Sequence, residues 1–387
     1  MAIFDIAIYA FFAWAMHRLA KRFATNSPDG TWNDNLTGFV AFFSVVCAIR
    51  FNVGVDCLSY IKIFHENWIT EDRVLIWNGI VSALHALGLH YAFGLGIMAF
   101  IQILFITLAV RRTPYVLLAL PIVLFGNRYF MDLTGAVRQM TAACIFLWGS
   151  KFIAERKLLP YVAVVWACSL IHFSSWILLP LYLLRNSFTL ADKRKWMLVV
   201  FACCFVAGQT PSFQRYANDA AAFATMIGYE GYAQRVSNFL EEGQTAEALT
   251  FGPMMLSYLL VAVFSICYGP TLKKRYEDKI PCFNIWYNLG YFYACAYFLV
   301  CNVSHLFIRP VQYLELFQMV VVSLLLYDLG FSRHRRQLPF LALLFSIWLN
   351  TSWEMIKASG SENEHSTYKV FFMHLDQEKQ LFSHPVH

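Results

Sequence analysis

The chain has 387 residues, of which 59% are hydrophobic and 14% charged, and its formal net charge is +6 at pH 7. Soluble domains contain roughly 25% charged residues, so this composition excludes a soluble globular protein. No polar stretch is long enough to fold into a domain of its own. The sequence therefore predicts an all-α polytopic membrane protein, because helices satisfy their own backbone hydrogen bonds in lipid.

Basic residues occur in six short clusters that separate apolar runs. Cytoplasmic loops are enriched in Lys and Arg. We therefore expect all six clusters on the cytoplasmic side, and not in a surface that binds nucleic acid. The clusters lie at residues 18–22, 111–112, 151–157, 193–195, 273–275 and 333–336.

Apolar runs that cross a bilayer need about 20 residues, and the sequence predicts about 11 to 12 transmembrane helices. The first five are expected over residues 3–19, 36–52, 93–110, 114–130 and 137–154. The last five are expected over residues 196–211, 250–268, 282–302, 309–329 and 338–353. An outside loop is predicted at 53–73 and a short outside turn at 132–138.

Residues 73–90 have a helical pattern but are not counted as a span. Arg50 is expected outside and Arg112 inside, and a single crossing connects two such positions. The sequence therefore predicts that 73–90 forms an interfacial helix at the outer surface.

A broken pair of short helices is predicted over residues 159–184. This segment has 26 mostly apolar residues, too few for two full spans, yet basic clusters flank it on both sides. Both flanks belong inside by the positive-inside rule, so the chain must turn back near residues 172–175. Irregular backbone at that depth needs protein or water around it, which places His172 in a polar cavity that faces outside.

The chain divides into one large domain and a tail. A single multi-span transmembrane domain is expected over residues 1–354, with an outside loop or lid at 211–249. The polar, slightly acidic tail covers residues 355–387, and its composition agrees with an outside location.

Arginines are unusually frequent among the polar residues predicted at outer helix ends. The planar guanidinium binds phosphate through two hydrogen bonds and stays charged when buried. The outer ends therefore suit an anionic ligand that enters from the bilayer, such as a lipid-linked phosphate or pyrophosphate. The candidates are Arg50, Asp56, Tyr60, Arg128, Asp132, Arg138, Gln139, His172, Ser174, Arg235, His305, Arg309, Gln312, Tyr313 and Glu315.

Each candidate also has a purely structural interpretation. An outer arginine can extend to lipid headgroups or pair with a carboxylate. The structural alternatives are an Arg128–Asp132 pair, an Arg309–Glu315 pair, a carbonyl contact made by His172, and a turn or helix cap at Asp56.

Several different short motifs are distributed along most of the apolar part of the chain, from about residue 40 to 330. The most specific is Ala167–Tyr182, which reads ACSLIHFSSWILLPLY. The others are Arg50 followed by Gly54-Val-Asp56 and Tyr60, the Arg138-Gln pair, Glu155-Arg-Lys, Tyr161, and Arg309-x-x-x-Tyr313. This set resembles the EpsG family, a branch of the Wzy-type O-antigen and exopolysaccharide polymerases. The family's common Gly-Thr-Asp form is here Gly-Val-Asp.

The resemblance implies a glycosyltransferase with a GT-C-like fold. It would polymerise undecaprenyl-pyrophosphate-linked oligosaccharide repeat units into O-antigen, capsule or exopolysaccharide. The lipid-linked oligosaccharide would be both donor and acceptor, at the outer (periplasmic) face of the bacterial cytoplasmic, or inner, membrane. Membrane lipids and a chain-length regulator are the other expected partners, and neither a cofactor nor nucleic acid is expected.

Roles for the candidates follow from this reaction. The lipid pyrophosphate gains charge as the glycosidic bond breaks, so positioned arginines are expected to stabilise it. The acceptor hydroxyl needs a base, and an unperturbed imidazole titrates near neutral pH. We therefore expect His172 to be the base, with Asp56 as the second choice. The expected substrate-binding residues are Arg50, Arg128, Arg138, Arg235, Arg309, Tyr60, Tyr182 and Tyr313, and no metal is required.

Four other functions fit a membrane protein of this kind. An O-antigen ligase performs the same chemistry on a different acceptor. A flippase for lipid-linked oligosaccharides needs a polar pathway to both faces, whereas the charges here gather toward one face. A membrane acyltransferase needs a route for a cytoplasmic acyl donor, and a non-enzymatic assembly partner needs no site at all.

Overall fold

A computed structural model describes residues 2–69, 73–210, 252–302, 305–358 and 364–377. These residues are mostly α-helical, and their one isolated β-bridge joins Arg50 to Val370. The helices pack around a continuous aromatic-rich core in which Phe125 contacts the rings of Tyr9, Phe43 and Phe130. The all-helical class predicted from the sequence is confirmed.

We number the described α-helices in chain order. They are α1 (Ala2–Asn26), α2 (Asp34–Ala48), α3 (Cys57–Glu66), α4 (Leu75–Ala86), α5 (Tyr91–Val110), α6 (Pro114–Gly126), α7 (Tyr129–Gly135), α8 (Val137–Gly149), α9 (Lys151–Ala154), α10 (Leu158–Ser169), α11 (Arg194–Gly208), α12 (Pro253–Tyr276), α13 (Phe283–Val300), α14 (His305–Gln312), α15 (Glu315–Gly330) and α16 (Gln337–Ala358). Three 3-10 helices cover Phe173–Leu183, Glu364–Ser366 and Phe371–Met373.

Several helices have the length and composition of membrane spans. Among the described residues, α1, α5 and α12 are long and apolar enough to cross a bilayer alone. The pair α6 and α7 passes the same test together, although α7 is bent by 73° from α6. Shorter apolar helices, including α2, α4 and α10, pack among them. This arrangement is typical of a polytopic membrane protein.

Segments in or beside the basic clusters contact one another at one end of the bundle, which we call the basic end. The contacts are Arg111 Nη1 to Gly30 O (3.5 Å), Trp286 Nε1 to Ser150 Oγ (3.0 Å), Asn186 Nδ2 to Pro281 O (2.8 Å), and an ion pair between Lys273 and Asp192. The positive-inside rule predicts such a grouping on one side of a membrane.

Both segments predicted to be irregular contain short helices. Helix α4 has 12 residues, a length of about 18 Å at 1.5 Å per residue, which is too short for a hydrocarbon core of about 30 Å. Over 159–184 the chain forms α10 and then the 3-10 helix Phe173–Leu183, with the break at residues 170–172. The two pieces pack against each other.

Three predicted boundaries were wrong. The loop at 53–73 contains α3, whose buried Tyr60, Ile61 and Phe64 give it an apolar face that the polar residues around it obscured. The turn at 132–138 is instead filled by α7 and the start of α8. The span at 309–329 is split into α14 and α15. The predicted lid at 211–249 lies outside the described residues.

The segment 364–377 folds back onto the end of α2 that is remote from the basic end. Phe51 N donates to Lys369 O (2.9 Å) and Phe371 N donates to Ile49 O (3.0 Å). Gly54 N donates to the carbonyl of His365 (2.9 Å). The segment therefore covers the chain on both sides of Arg50.

Gly54 is required by two independent features of this loop. Its φ of +92° lies in the left-handed region, and a Cβ there would stand 2.6 Å from the carbonyl of Thr134. We expect Gly54→Ala to destabilise the protein by roughly 2 kcal/mol or more through strain and overlap. Gly79→Ala is the matched control, because Gly79 lies in a helix and a Cβ added there would meet no atom within 4 Å.

This expectation is checked by the midpoint of thermal unfolding in detergent. Gly54→Ala should lower it, whereas Gly79→Ala should leave it unchanged or raise it, because alanine is favoured over glycine in helices by about 1 kcal/mol. Equal midpoints for Gly54→Ala and the native protein would show that the loop relaxes freely.

Candidate functional site

The break between α10 and the following 3-10 helix holds His172 in place. Leu170, at the end of α10, accepts hydrogen bonds through its carbonyl from Ile76 N (3.0 Å) and Trp77 N (3.4 Å). The first turn of α4 thereby satisfies donors that a helix start leaves unpaired. On the other side of the break, Ser175 Oγ donates to His172 O (2.7 Å). His172 itself is half-buried, with an extended backbone.

Tyr313 joins this turn to the junction between α14 and α15. Its side chain is fully buried, and its hydroxyl lies 3.0 Å from the hydroxyls of both Ser174 and Ser175. The ring centroids of Tyr313 and His172 are 6.2 Å apart. Two residues predicted from separate motifs are thus brought together.

Tyr60 and Arg138 meet beside α4. The Arg138 backbone N–H points at the Tyr60 hydroxyl at 3.5 Å, and the Arg138 guanidinium carbon lies 5.5 Å from the ring centroid of Trp77. Asp56 occupies the N-cap position of α3, one turn before Tyr60, but its side chain makes no capping bond. Asp56 therefore has the predicted cap position but does not make the capping hydrogen bond. Its side chain is half-buried and lies near Tyr60.

Arg309 contributes from α14. Gln139 Nε2 donates to the Arg309 carbonyl, while the Arg309 side chain is exposed. Both Arg138 and Arg309 are close enough to act electrostatically on His172. Burial first, and then these two positive charges, disfavour the charged imidazole, and the neutral form is the one that accepts a proton. We call His172, Arg138, Arg309, Tyr60 and Tyr313 the histidine cluster.

Arg128 belongs to a second group, formed by Arg128, Asp132 and Glu315. Arg128 Nε lies 2.8 and 2.7 Å from the two carboxylate oxygens of Asp132, as the i,i+4 spacing predicted. Glu315 is almost fully buried and lies close enough to Asp132 and Arg128 to act on them electrostatically. The predicted pairing of Glu315 with Arg309 was therefore wrong, because α15 begins a new helix whose first residue faces α7.

The contact between Asp132 and Glu315 makes a test of this second group. A buried carboxylate beside a second carboxylate is costly when charged, so we expect Glu315→Gln, which keeps the shape without the charge, to fold nearly as well as the native chain. Asp132→Asn removes the counter-charge of Arg128, and we expect a loss of roughly 2 kcal/mol or more, less than for a fully buried pair because Arg128 is partly exposed.

Thermal unfolding in detergent distinguishes the two variants. A midpoint lowered much more by Asp132→Asn than by Glu315→Gln is expected. The reverse order would mean that Glu315, and not Asp132, carries the charge that balances Arg128.

Arg50 is fixed by the backbone around it. Its guanidinium donates to Cys47 O (2.9 Å) and Thr134 O (3.2 Å), and the residue is 1% exposed. Because the segment 364–377 covers this position, a substrate could reach Arg50 only if that segment moved.

Two further side chains lie near the histidine cluster that the sequence analysis did not select. The Arg73 guanidinium carbon lies 5.1 Å from the ring centroid of Phe173, which follows His172. Trp77 contacts Arg138 as described above. Arg73, like the selected arginines, is a basic residue in a segment predicted to lie outside. The same criterion could therefore have selected it. Nothing in the sequence singled out Trp77.

Tyr182 and Arg235 are not part of the histidine cluster as described. Tyr182 lies under Arg156 of a basic cluster, with the guanidinium carbon 4.5 Å from its ring centroid, so it belongs to the basic end. Arg235 lies outside the described residues. Within the described ranges, no group of three or more His, Cys, Asp or Glu side chains is arranged to hold a metal ion.

Comparison with known proteins gives one result. A family model described as "EpsG family" matches residues 35–370, a range that includes every member of the histidine cluster. Neither the curated proteins nor the solved structures contain a match to the chain.

Proposed function

Because the chain belongs to the EpsG family, we propose that it is a membrane glycosyltransferase that makes polysaccharide. Its substrates are undecaprenyl-pyrophosphate-linked oligosaccharide repeat units, which it polymerises into O-antigen, capsule or exopolysaccharide. We place the reaction at the outer face of the bacterial cytoplasmic membrane, within a GT-C-like arrangement of about 11 to 12 spans.

The observation that carries this proposal is that His172 lies beside Tyr313 and within electrostatic range of Arg138 and Arg309. Arg138 and Arg309 act electrostatically on its imidazole, and Arg309 has an exposed side chain. A transferase that uses a lipid pyrophosphate needs positive charge for the leaving group and a base for the incoming hydroxyl. The histidine cluster supplies both within one small region.

The reaction is a single displacement of the lipid carrier. A hydroxyl at the non-reducing end of the acceptor unit attacks the anomeric carbon that joins the growing chain to its carrier. The bond from that carbon to the phosphate oxygen breaks, and its electron pair leaves with the undecaprenyl pyrophosphate. His172 takes the hydroxyl proton, and Arg138 and Arg309 stabilise the pyrophosphate charge. Tyr60 and Tyr313 are buried and hold the backbone of Arg138 and the turn at Ser174 and Ser175 in place.

A ligase with the same chemistry remains the second candidate, because the histidine cluster does not define the acceptor. The flippase is less well supported. The histidine cluster lies at the end of the bundle remote from the basic end, whereas a flippase needs a polar pathway that reaches both faces.

The proposal is tested with purified full-length protein in nanodiscs. Lipid-linked repeat units are added, and the products are separated by size. A ladder of increasing chain length with release of undecaprenyl pyrophosphate supports a polymerase. Transfer of single units to a different lipid acceptor, without a ladder, indicates a ligase, and no covalent product with active protein rules out both.

A further inference from the structure

Trp77 has a buried hydrogen-bond donor without a partner. The residue is 0% exposed, and its ring packs edge-on against Tyr60 (5.6 Å between centroids) and at a tilt against Phe64 (5.3 Å). A buried tryptophan normally bonds its indole N–H. Here Nε1 finds no acceptor among the described residues. The aromatic neighbours therefore hold the indole firmly without satisfying its polar edge.

Arg138 presents a second donor of the same kind beside it. Its guanidinium carbon lies 5.5 Å from the Trp77 ring centroid, and its buried Nη1 also lacks a hydrogen-bond partner. None of the ion pairs in the described ranges includes Arg138. Leaving one such donor unpaired is costly, and more so when it is charged. The two neighbouring donors that lack acceptors, Trp77 Nε1 and Arg138 Nη1, need a common explanation.

The local backbone favours negative charge at the same place. Arg138 is the second residue of α8, a helix of 13 residues, so its side chain starts from a helix N-terminus. Free N–H groups give that end a partial positive charge. Positive charge is disfavoured and negative charge favoured at that end, so an anion bound beside Arg138 would offset the repulsion.

We propose that Trp77 Nε1 and Arg138 Nη1 form a subsite for a phosphate group carried by a lipid. Both groups can only donate, which excludes a ligand that offers donors alone and fits the acceptor oxygens of phosphate. The subsite rests on the proposed function for its occupant, the pyrophosphate of the lipid-linked substrate. A phospholipid headgroup has the same chemistry and is the other source.

Trp77 also connects this subsite to the base. Its backbone N–H bonds the carbonyl of Leu170 (3.4 Å), two residues before His172. The first turn of α4 thus fixes the indole relative to the turn that carries the imidazole.

The test measures binding of inorganic pyrophosphate by calorimetry to full-length protein in phosphatidylcholine nanodiscs. Trp77→Phe keeps an aromatic ring for Arg138 and removes the N–H. We expect about tenfold weaker binding, the size of one hydrogen bond to a charged group. Trp166→Phe is the matched control, since Trp166 is 55% exposed on α10, and it should bind like the native protein.

A second replacement keeps the test valid if Trp77→Phe does not fold. Benzothienylalanine at position 77 retains the bicyclic ring and lacks only the N–H, so it should show the same weaker binding. Native affinity in a folded protein with either replacement overturns the subsite, as does the absence of pyrophosphate binding by the native protein.

Two further measurements distinguish a lipid headgroup from the substrate as the source of the phosphate, and failure of the subsite from failure of the proposed function. The first measurement adds phosphatidylglycerol to the nanodiscs. If this lipid weakens pyrophosphate binding to the native protein but not to Trp77→Phe, the subsite binds a headgroup. Unchanged binding assigns it to the substrate pyrophosphate. If pyrophosphate binds through Trp77 but the native protein elongates no lipid-linked units, the proposed function fails while the subsite stands.

Discussion

A cell whose only copy of this protein carries His172→Ala is expected to display single repeat units in place of long polysaccharide chains. Lipid-linked units should accumulate in its membrane. Removing a general base typically slows a reaction by 10²–10⁴-fold, and the turn around His172 is held through backbone carbonyls that alanine preserves. Chain-length analysis of the surface polysaccharide, with protein amounts compared, measures the effect.

His334→Ala is the control for this experiment. His334 is exposed in the basic cluster that follows α15, so its loss should leave chain length unchanged. Normal long chains from His172→Ala would make that histidine structural and transfer the role of base to Asp56. Loss of all surface sugar would instead point to transport or ligation.

Arg138→Ala is expected to lower the turnover rate by about 10²–10³-fold, the effect of removing one preorganised group that stabilises transition-state charge. Arg138→Lys should recover only part of the rate, since an ammonium keeps the charge but lacks the planar fork. The measurement is kcat and KM for purified protein on lipid-linked units. A change in kcat larger than the change in KM locates the effect in the transition state.

Arg333→Ala provides the comparison for this variant. Arg333 is an exposed arginine at the basic end, so it shares the charge change without touching the histidine cluster. Equal losses in Arg138→Ala and Arg333→Ala would mean that overall charge, and not the position of Arg138, matters.

The positions of the basic clusters predicted the helix break near His172, on which the site depends. The break near His172 followed from 26 mostly apolar residues between two basic clusters, and the structure has α10 end at Ser169 and the next helix begin at Phe173. Such reasoning works because the cost of moving a basic cluster across lipid is large compared with local helix preferences. It requires no knowledge of which helices are neighbours.

Side-chain partners could not be predicted in the same way. The candidate arginines are alike in sequence, yet Arg50 bonds backbone carbonyls, Arg128 pairs with Asp132, and Arg138 stacks on Trp77. Which of these occurs depends on the packing of helices far apart in the chain. Trp77 was missed for a related reason, because its importance comes from an unpaired N–H that only the packed structure reveals.

The fold-back of residues 364–377 bears on how the protein is made. Ser366 accepts a hydrogen bond from Tyr9 (2.9 Å) across 357 residues, and Tyr368 donates to Val46 (2.6 Å) across 322. Domains fold from the N-terminus during synthesis, but α1 and α2 gain these partners only after the intervening helices have been inserted. The loop that carries Arg50 and Gly54 therefore forms its hydrogen bonds to residues 364–377 late in synthesis. A ribosome that stops early releases a chain with most of its helices but without this closure, which leaves unpaired backbone groups for quality-control proteases to recognise.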